Sequence, residues 1–349
     1  MRHARWVFAA VASVFPLIVA AAELPAFPAP PPGDPVTEVK FGITTVDPYR
    51  RLEEVKDPAV LAWMQAQAKR TRAILDAIPG HPDVLADVER LSRTATSQIE
   101  DAELLRDGRM LVQRKQAGDD ISRLLLFDGI GASDGRVLVD PEQWRQRTGK
   151  PHAINYFSAS PDGRHVLVGI SESGSEMASL YVLDLASGEQ VGAPISRVWF
   201  RPNWLPDGSG FAYNRLIELA EGQPASERQL NSQVHLHRLG GEAEADPVVF
   251  GNRQPGSADV APADMPDVLL SQGGDFMLGW PATVDNQIRL QVAPVAQLGD
   301  ARIDWRRLIE RDDHVRQFQL DGNDLYLMTS TRPGRAIERI RLPDGAREV

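Results

Sequence analysis

The chain has 349 residues, of which 42% are hydrophobic and 25% charged, and its formal net charge is −10. This composition is typical of a globular protein long enough to bury a sizeable core. The negative charge, with no lysine and arginine stripe to offset it, argues against nucleic acid as a partner. Since the sequence has no cysteine, disulfide bonds, thiolate catalysis and cysteine-based metal sites are excluded.

Residues 1–22 have the pattern of a secretory signal peptide. Arg2 and Arg5 give a basic start, Trp6–Val19 is apolar, and Ala20–Ala22 offers a small-residue cleavage site. We therefore expect a periplasmic or secreted protein with no stable membrane span after cleavage, and an uncleaved helical anchor is the alternative. Residues 23–35 are rich in proline and predict an extended linker.

Residues 36–95 predict a short N-terminal helical segment. Asp57-Pro58 supplies an N-cap followed by proline at the first helical position, and Pro79-Gly80 ends the helix. A second helix is predicted from Pro82. Apolar side chains recur three and four positions apart in both helices, which indicates one apolar face on each. These faces comprise Val60, Leu61, Met64, Ile74, Leu75 and Ile78, then Val84, Leu85, Val88 and Leu91. The sequence does not identify the surface that covers them.

Residues 96–349 are dominated by a repeated hairpin. Its clearest copy is Ser158–Gly188, in which the turn Ser160–Gly163 precedes strands predicted over His165–Ile170 and Ser179–Leu185. The other predicted strand pairs are Met110–Gln113 with Arg123–Phe127, Phe211–Asn214 with Val234–Leu239, Phe276–Trp280 with Ile288–Val292, and Leu325–Met328 with Ile337–Leu342. The turn glycines Gly108, Gly163, Gly208, Gly274 and Gly322 are 45 to 66 residues apart.

This period, with several short strands in each unit, is typical of a β-propeller, and an irregular β-sandwich is the alternative. Two long segments between predicted strands, Leu216–Ser232 and Gly251–Met265, are rich in glycine, proline, alanine and acidic residues. We predict both to be surface loops.

The sequence predicts no catalytic residue, no metal site and no cofactor. A nucleophile elbow needs G-x-S-x-G, and Gly169–Ser173 lacks the second glycine and lies in a predicted hairpin. Ser171 is therefore expected to satisfy a turn. His235 and His237 would share one face of a strand, and without a third ligand close in sequence we interpret them as strand surface residues.

Four segments follow one another in a recognisable order. Asp47–Glu53, DPYRRLE, precedes the first predicted helix, and Val139–Pro141 follows the first hairpin. Ser171–Glu176 forms the second hairpin's turn, and Arg197–Gly208 leads into the third. From residue 36 to the end, this order resembles the N-terminal part of the prolyl oligopeptidase family of serine peptidases, although Arg51 stands where the family has tryptophan.

The resemblance implies an all-β propeller with about five of the family's seven blades. In the family, the propeller covers an α/β-hydrolase domain that carries a Ser-Asp-His triad and cuts oligopeptides after proline, and the N-terminal helices pack on that domain. This chain contains no such domain, so we expect it to be inactive alone, with the hydrolase part lost by truncation or separately encoded. The resemblance also implies that Phe200, Trp199 and Glu176 line the substrate pocket from the propeller side.

A function of a different class is also consistent with the sequence. The chain could be a stand-alone periplasmic propeller that binds a peptide or protein partner without catalysis. The two helices distinguish these hypotheses. A stand-alone module should cover their apolar faces internally, whereas part of a larger peptidase should leave them exposed.

Overall fold

The computed structural model describes residues 26–94, 96–257, 259–285, 287–331 and 334–348. The predicted signal peptide, residues 1–22, lies outside them. The chain divides after Thr94 into two units, and each is described by itself. None of the helices formed by the described residues is long and apolar enough to cross a membrane.

The N-terminal unit consists of a hairpin and two helices. The hairpin pairs β1 (Val36–Lys40) with β2 (Ile43–Asp47), and the helices are α1 (Pro58–Asp76) and α2 (His81–Thr94). The Asp57 carboxylate accepts a hydrogen bond of 2.7 Å from the Ala59 N–H, which confirms the predicted N-cap. The hairpin was not predicted from the sequence.

The apolar faces of α1 and α2 are exposed. Val60 is the one buried residue in the two helices. Eight large apolar side chains are between 39% and 64% exposed: Leu61, Met64, Leu75, Ile78, Val84, Leu85, Val88 and Leu91. Exposed apolar surface of this extent on two successive helices is characteristic of an interaction site.

The second unit contains five four-stranded blades, here called blades 1 to 5, which agree in number with the predicted repeats. Blades 1, 4 and 5 are separate four-stranded antiparallel sheets, and blades 2 and 3 together make one eight-stranded sheet. Blade 1 comprises β3 (Ser97–Leu104), β4 (Met110–Gln116), β5 (Arg123–Phe127) and β6 (Arg136–Val139), and is followed by α3 (Pro141–Thr148). Blade 2 comprises β7 (His152–Ala159), β8 (His165–Glu172), β9 (Ala178–Asp184) and β10 (Ile195–Val198). Blade 3 comprises β11 (Asn203–Trp204), β12 (Gly210–Arg215), β13 (Gln233–Arg238) and β14 (Val248–Gly251). Blade 4 comprises β15 (Met265–Leu270), β16 (Phe276–Ala282), β17 (Leu290–Pro294) and β18 (Arg306–Ile309). Blade 5 comprises β19 (Val315–Asp321), β20 (Asp324–Thr331), β21 (Gly334–Arg341) and β22 (Arg347–Glu348).

The core lies between neighbouring blades. Leu111 and Leu124 of blade 1 share an apolar cluster with Phe157 and Val168 of blade 2. A comparable cluster joins blade 4 to blade 5, and others lie at the boundaries in between. The second and third strands of blades 2 to 4 are therefore covered on both faces, which is why most residues of β8, β9, β16 and β17 are apolar.

Blades 2 and 3 form one continuous sheet. Val198 of β10 pairs with Arg215 of β12, so the strand order β14-β13-β12-β10-β9-β8-β7 runs through both blades. Each of the other three blades forms a separate four-stranded sheet among the described strands.

The antiparallel strands give the blades two different ends. Turns between first and second strands lie at one end, here called the turn end, and neighbouring blades meet there. Arg109 of blade 1 donates to the Gly163 carbonyl of blade 2 at 2.6 Å, and the Gly322 N–H of blade 5 donates to Ser271 Oγ of blade 4 at 2.7 Å. Loops between second and third strands, and the connections between blades, lie at the opposite end, here called the loop end. The long loops of residues 216–232 and 252–264 therefore emerge at the loop end.

One turn glycine has a different role from the one predicted. Gly273 takes the left-handed conformation in the β15–β16 turn, with φ of 69°. A Cβ atom at Gly274 would lie 2.5 Å from the Gly322 carbonyl oxygen. Gly274 is thus required for the close approach of blades 4 and 5 rather than for the turn.

Substituting Gly210 with alanine should destabilise the second unit. The added methyl group would lie 2.1 Å from the His237 carbonyl oxygen in the paired strand, and backbone cannot move aside as a side chain can. We expect Gly210→Ala to lower the free energy of unfolding by about 2–3 kcal/mol in urea denaturation. Gly334→Ala is the matched control, because no atom lies within 4 Å of its added Cβ. A loss at Gly334 equal to that at Gly210 would contradict this explanation.

Candidate functional site

Trp199 and Phe200 lie at the loop end, directly after β10. The Trp199 N–H donates to the Asn214 carbonyl at 3.4 Å, and the buried Asn214 side chain donates to the Pro266 carbonyl of blade 4 at 2.8 Å. Both aromatic side chains are half-buried. Neither belongs to the apolar clusters formed by the described residues. Their position leaves ring surface available to a ligand.

Glu176 lies in the turn between β8 and β9. Its side chain is exposed, and its φ of 58° is left-handed, as is the φ of 52° at Ser173. This turn and the segment after β10 are at the same end of blade 2, so the fold places Glu176 on the same side as Phe200. No hydrogen bond or ion pair between the described residues links Glu176 to the two aromatic side chains. Their shared role in a substrate pocket stays a prediction.

A groove of about 1100 Å³ lies where blade 4 meets blade 5. Trp280 and Phe318 form its aromatic wall in an edge-to-face arrangement, with ring centroids 5.3 Å apart. Tyr326 extends this wall, and Thr283 and Asp285 line the groove at the loop end. An aromatic wall with a polar rim suits apolar side chains of a ligand. No local pattern in the sequence indicates this groove, because its walls come from strands and loops of two blades.

The loop before blade 4 is more firmly fixed than a surface loop needs to be. Asp264 is buried and forms an ion pair of 2.8 Å with Arg289, which also donates to the Asp259 carbonyl at 2.7 Å. Arg289 precedes β17, so it holds the end of the loop against blade 4. The prediction of a surface excursion over Gly251–Met265 is therefore wrong for its C-terminal end.

Asp267 is a buried carboxyl group on the first strand of blade 4. It accepts a hydrogen bond of 2.8 Å from the Val268 N–H, and the Asn203 amide of blade 3 lies 3.3 Å away. Burial penalises the charged form and raises the pKa of Asp267 from 3.8 to about 6, although both hydrogen bonds act in the opposite direction. A proton is therefore retained here at a pH where exposed aspartates have lost theirs.

The interpretation of His235 and His237 as strand surface residues is wrong for His237. The His237 side chain is buried, and its Nδ1 lies 2.9 Å from the Asp246 carboxylate. The Tyr213 hydroxyl donates to the same carboxylate at 2.9 Å. Burial lowers the pKa of His235, whose ring bonds the Asp246 carbonyl. His237 and Tyr213 thus share the Asp246 carboxylate, and they do not make a metal site. The described residues include no group of three or more histidine, aspartate or glutamate side chains that could hold a metal.

Ser171 is also placed differently from the prediction. It lies inside β8, opposite Ala153 of β7, and its side chain is buried. A nucleophile elbow requires a sharp turn between a strand and a helix. Ser171 is not at such a turn, so it is not placed as a nucleophile. Because it lies within a strand, the expectation that its hydroxyl satisfies a turn is wrong.

Comparisons with known proteins agree on one family. Residues 28–333 match the family model described as prolyl oligopeptidase, N-terminal beta-propeller domain. The chain is 24% identical over 298 residues to the prolyl endopeptidase of Elizabethkingia meningoseptica, covering 84% of this chain and 39% of that protein. Among solved structures it is similar to a prolyl endopeptidase (TM-score 0.72, 23% identity, 92% of this chain and 45% of that one). It is also similar to prolyl oligopeptidase B of Galerina marginata bound to a macrocyclization substrate (TM-score 0.71, 19% identity, 92% and 47%). The chain therefore spans less than half the length of these relatives.

Replacing Asp267 with asparagine should raise stability at neutral pH. The folded-state pKa lies above the unfolded value, so the folded protein binds more protons between about pH 4 and 6, and stability falls as pH rises through that window. Asparagine cannot ionise. We expect Asp267→Asn to be more stable than the unsubstituted protein at pH 8, by at most about 3 kcal/mol, and not at pH 3.5. Urea denaturation at both pH values measures this. Asp300→Asn, at an exposed position, is the control, and equal effects of the two substitutions would contradict the explanation.

Proposed function

Because the chain belongs to the prolyl oligopeptidase family through its N-terminal β-propeller domain, we propose that it is the propeller part of a serine peptidase that cuts proline-containing oligopeptides. Its relatives with this match are prolyl endopeptidases more than twice as long as the matched region. In this proposal the chain alone does not hydrolyse peptides, because the triad belongs to an α/β-hydrolase domain. The propeller admits short peptides to that domain and excludes folded proteins. Export to the periplasm or the medium, from the signal-like residues 1–22, is part of the same proposal.

The observation that carries the proposal is the exposed apolar face of α1 and α2. Leu61 and Met64 of α1, with Val88 and Leu91 of α2, are each at least 42% exposed. A self-sufficient binding module should have covered these side chains, because their burial stabilises a protein by about 1.5–3 kcal/mol each. We assign the face to the α/β-hydrolase domain, on which the family's N-terminal helices pack. The exposure disfavours the alternative of a stand-alone propeller.

The loop end supports a role in binding the peptide. Phe200 and Trp199 offer apolar surface outside the apolar clusters, and Glu176 offers a carboxylate on the same side of the fold. These groups can contact peptide side chains, but they cannot attack a peptide bond. We propose that Phe200 contacts an apolar substrate side chain and that Glu176 contacts either the peptide or the hydrolase domain.

The first test is a hybrid enzyme in which this chain replaces the matching part of the Elizabethkingia meningoseptica prolyl endopeptidase. We expect the hybrid to cleave a short fluorogenic peptide after proline and this chain alone to show no turnover. The double substitution Leu85→Asp with Leu91→Asp should lower activity at least tenfold, because it places two charges in the proposed interface.

The control for this test is the double substitution Asp83→Asn with Arg93→Gln on polar positions of α2, which should leave activity within about twofold. Thermal unfolding of the chain alone should be unchanged by either pair, since all four side chains are exposed. Turnover by this chain alone would overturn the proposal. Full activity of the hybrid that carries both Leu85→Asp and Leu91→Asp would also overturn it. The stand-alone alternative would then be favoured.

The second test concerns Phe200. Removing its ring should weaken binding of a peptide with a large apolar residue near the scissile proline. We expect Phe200→Ala to raise KM of the hybrid about tenfold for that peptide, with kcat within about twofold. Phe41→Ala, at a fully exposed phenylalanine of the N-terminal hairpin, is the control. If the ring only packs the blades, the substitution will lower the unfolding temperature and leave KM unchanged.

A further inference from the structure

A second pocket is lined mainly by the turn ends of the first strands, and its lining also includes Arg201, the residue directly after Phe200. It has a volume of about 390 Å³ and is lined where the first strands of blades 1 to 4 finish. Its polar lining includes Glu103, Arg106, Arg201, Asn203 and Gln272. This volume is within the usual range for ligand sites, roughly 300–1000 Å³. Four blades thus contribute charged or polar groups to one small cavity.

Two guanidinium groups line this pocket without a carboxylate bound directly to either. Arg106 donates to the Gln272 side-chain oxygen at 3.3 Å, which links blade 1 to blade 4. Arg201 is exposed, and in the part of the chain that the structure describes it has no hydrogen bond or ion pair within 4 Å. Most other arginines of the second unit are paired with aspartate or glutamate, as Arg109 is with Asp107. The pocket therefore holds positive charge that its own residues do not pair.

Glu103 is the one acidic side chain in the lining of the pocket, and it does not compensate the two arginines. Its carboxylate accepts a hydrogen bond of 3.0 Å from the Ala159 N–H. Burial raises the pKa of Glu103, against the lowering effect of Arg201, and Asp101 raises it further. When Glu103 is ionised, one negative charge in the lining faces two positive ones.

We propose that the turn-end pocket binds a carboxylate, supplied by the C-terminus of an oligopeptide, between Arg106 and Arg201. Guanidinium groups bind carboxylates through paired N–H donors, and such bonds are stronger in a partly enclosed site than in water. Asn203 lies beside Arg201 and closes the pocket towards blade 3. The assignment of the carboxylate to a peptide C-terminus rests on the proposed function. The preference of the pocket for a carboxylate rests on its lining residues alone.

The test measures peptide binding to the full chain, with no hydrolase domain present. The probe is an N-terminally dansylated tetrapeptide with uncharged side chains, made with either a free C-terminal carboxylate or an amide. We expect the amide to bind at least tenfold more weakly. Arg201→Gln should weaken binding of the free acid at least tenfold and leave binding of the amide unchanged. Glu103→Gln should tighten binding of the free acid, because it removes the opposing charge.

The control is Arg253→Gln, which makes the same change in net charge at an exposed position of the loop end. It should leave binding of the acid within about twofold. Equal binding of acid and amide would overturn the proposal, as would equal losses at Arg201 and Arg253 or weaker binding by Glu103→Gln. Competition by sodium succinate distinguishes the sources: displacement at concentrations similar to the peptide's own Kd would overturn the peptide assignment and identify a site for free carboxylates. Since no step requires peptide cleavage, failure here and failure of the hybrid enzyme remain separate results.

Discussion

Burial of both faces of each sheet between neighbouring sheets is the constraint on which the second unit depends. Leu111 and Leu124 of blade 1 reach their low exposure only because Phe157 and Val168 of blade 2 lie against them. A blade with a neighbour on one side alone keeps apolar side chains in solvent, and blade 5 has Ile337 71% exposed and Tyr326 38% exposed. The same constraint governs α1 and α2, whose apolar faces have the composition of a core and the exposure of a surface. Both features leave apolar surface in contact with solvent.

The sequence predicted the second and third strands of every blade and missed the first and fourth. Middle strands such as β8, HVLVGISE, are apolar in nearly every position because a blade covers each face. Most first and fourth strands lie at the margins of the sheets, where burial restricts fewer residues, although β14 and β15 are largely buried. β3, SQIEDAEL, is almost wholly exposed, and β11 and β22 have two residues each. The turn glycines gave the spacing of the blades, since φ above zero is a local requirement that glycine meets most readily, although Gly273 rather than Gly274 meets it in blade 4.

The candidate sites were harder to predict, because their members are distant in sequence. Phe200 could be singled out only through a family resemblance, since an aromatic residue after a strand has no specific meaning by itself. Glu103 and Arg201 come from blades 1 and 3, and no local pattern indicates that they face one pocket. His237 and Asp246 are separated by a single strand connection, yet alternation along β13 predicted a surface position for the histidine. Packing against Phe211 of the same blade, on the side that faces blade 2, decided otherwise.

The continuous sheet through blades 2 and 3 has a mechanical consequence. At the other boundaries the described strands of neighbouring blades are not paired, so a relative movement of those blades would break no strand pairing. The pairing of Val198 with Arg215 makes the boundary between blades 2 and 3 resistant to such movement. Any widening of the fold must then be taken up at the other boundaries. Trp199 and Phe200 follow this pairing directly, whereas the groove beside Phe318 lies at the boundary of blades 4 and 5, which is held by side-chain packing and by hydrogen bonds at the turn end.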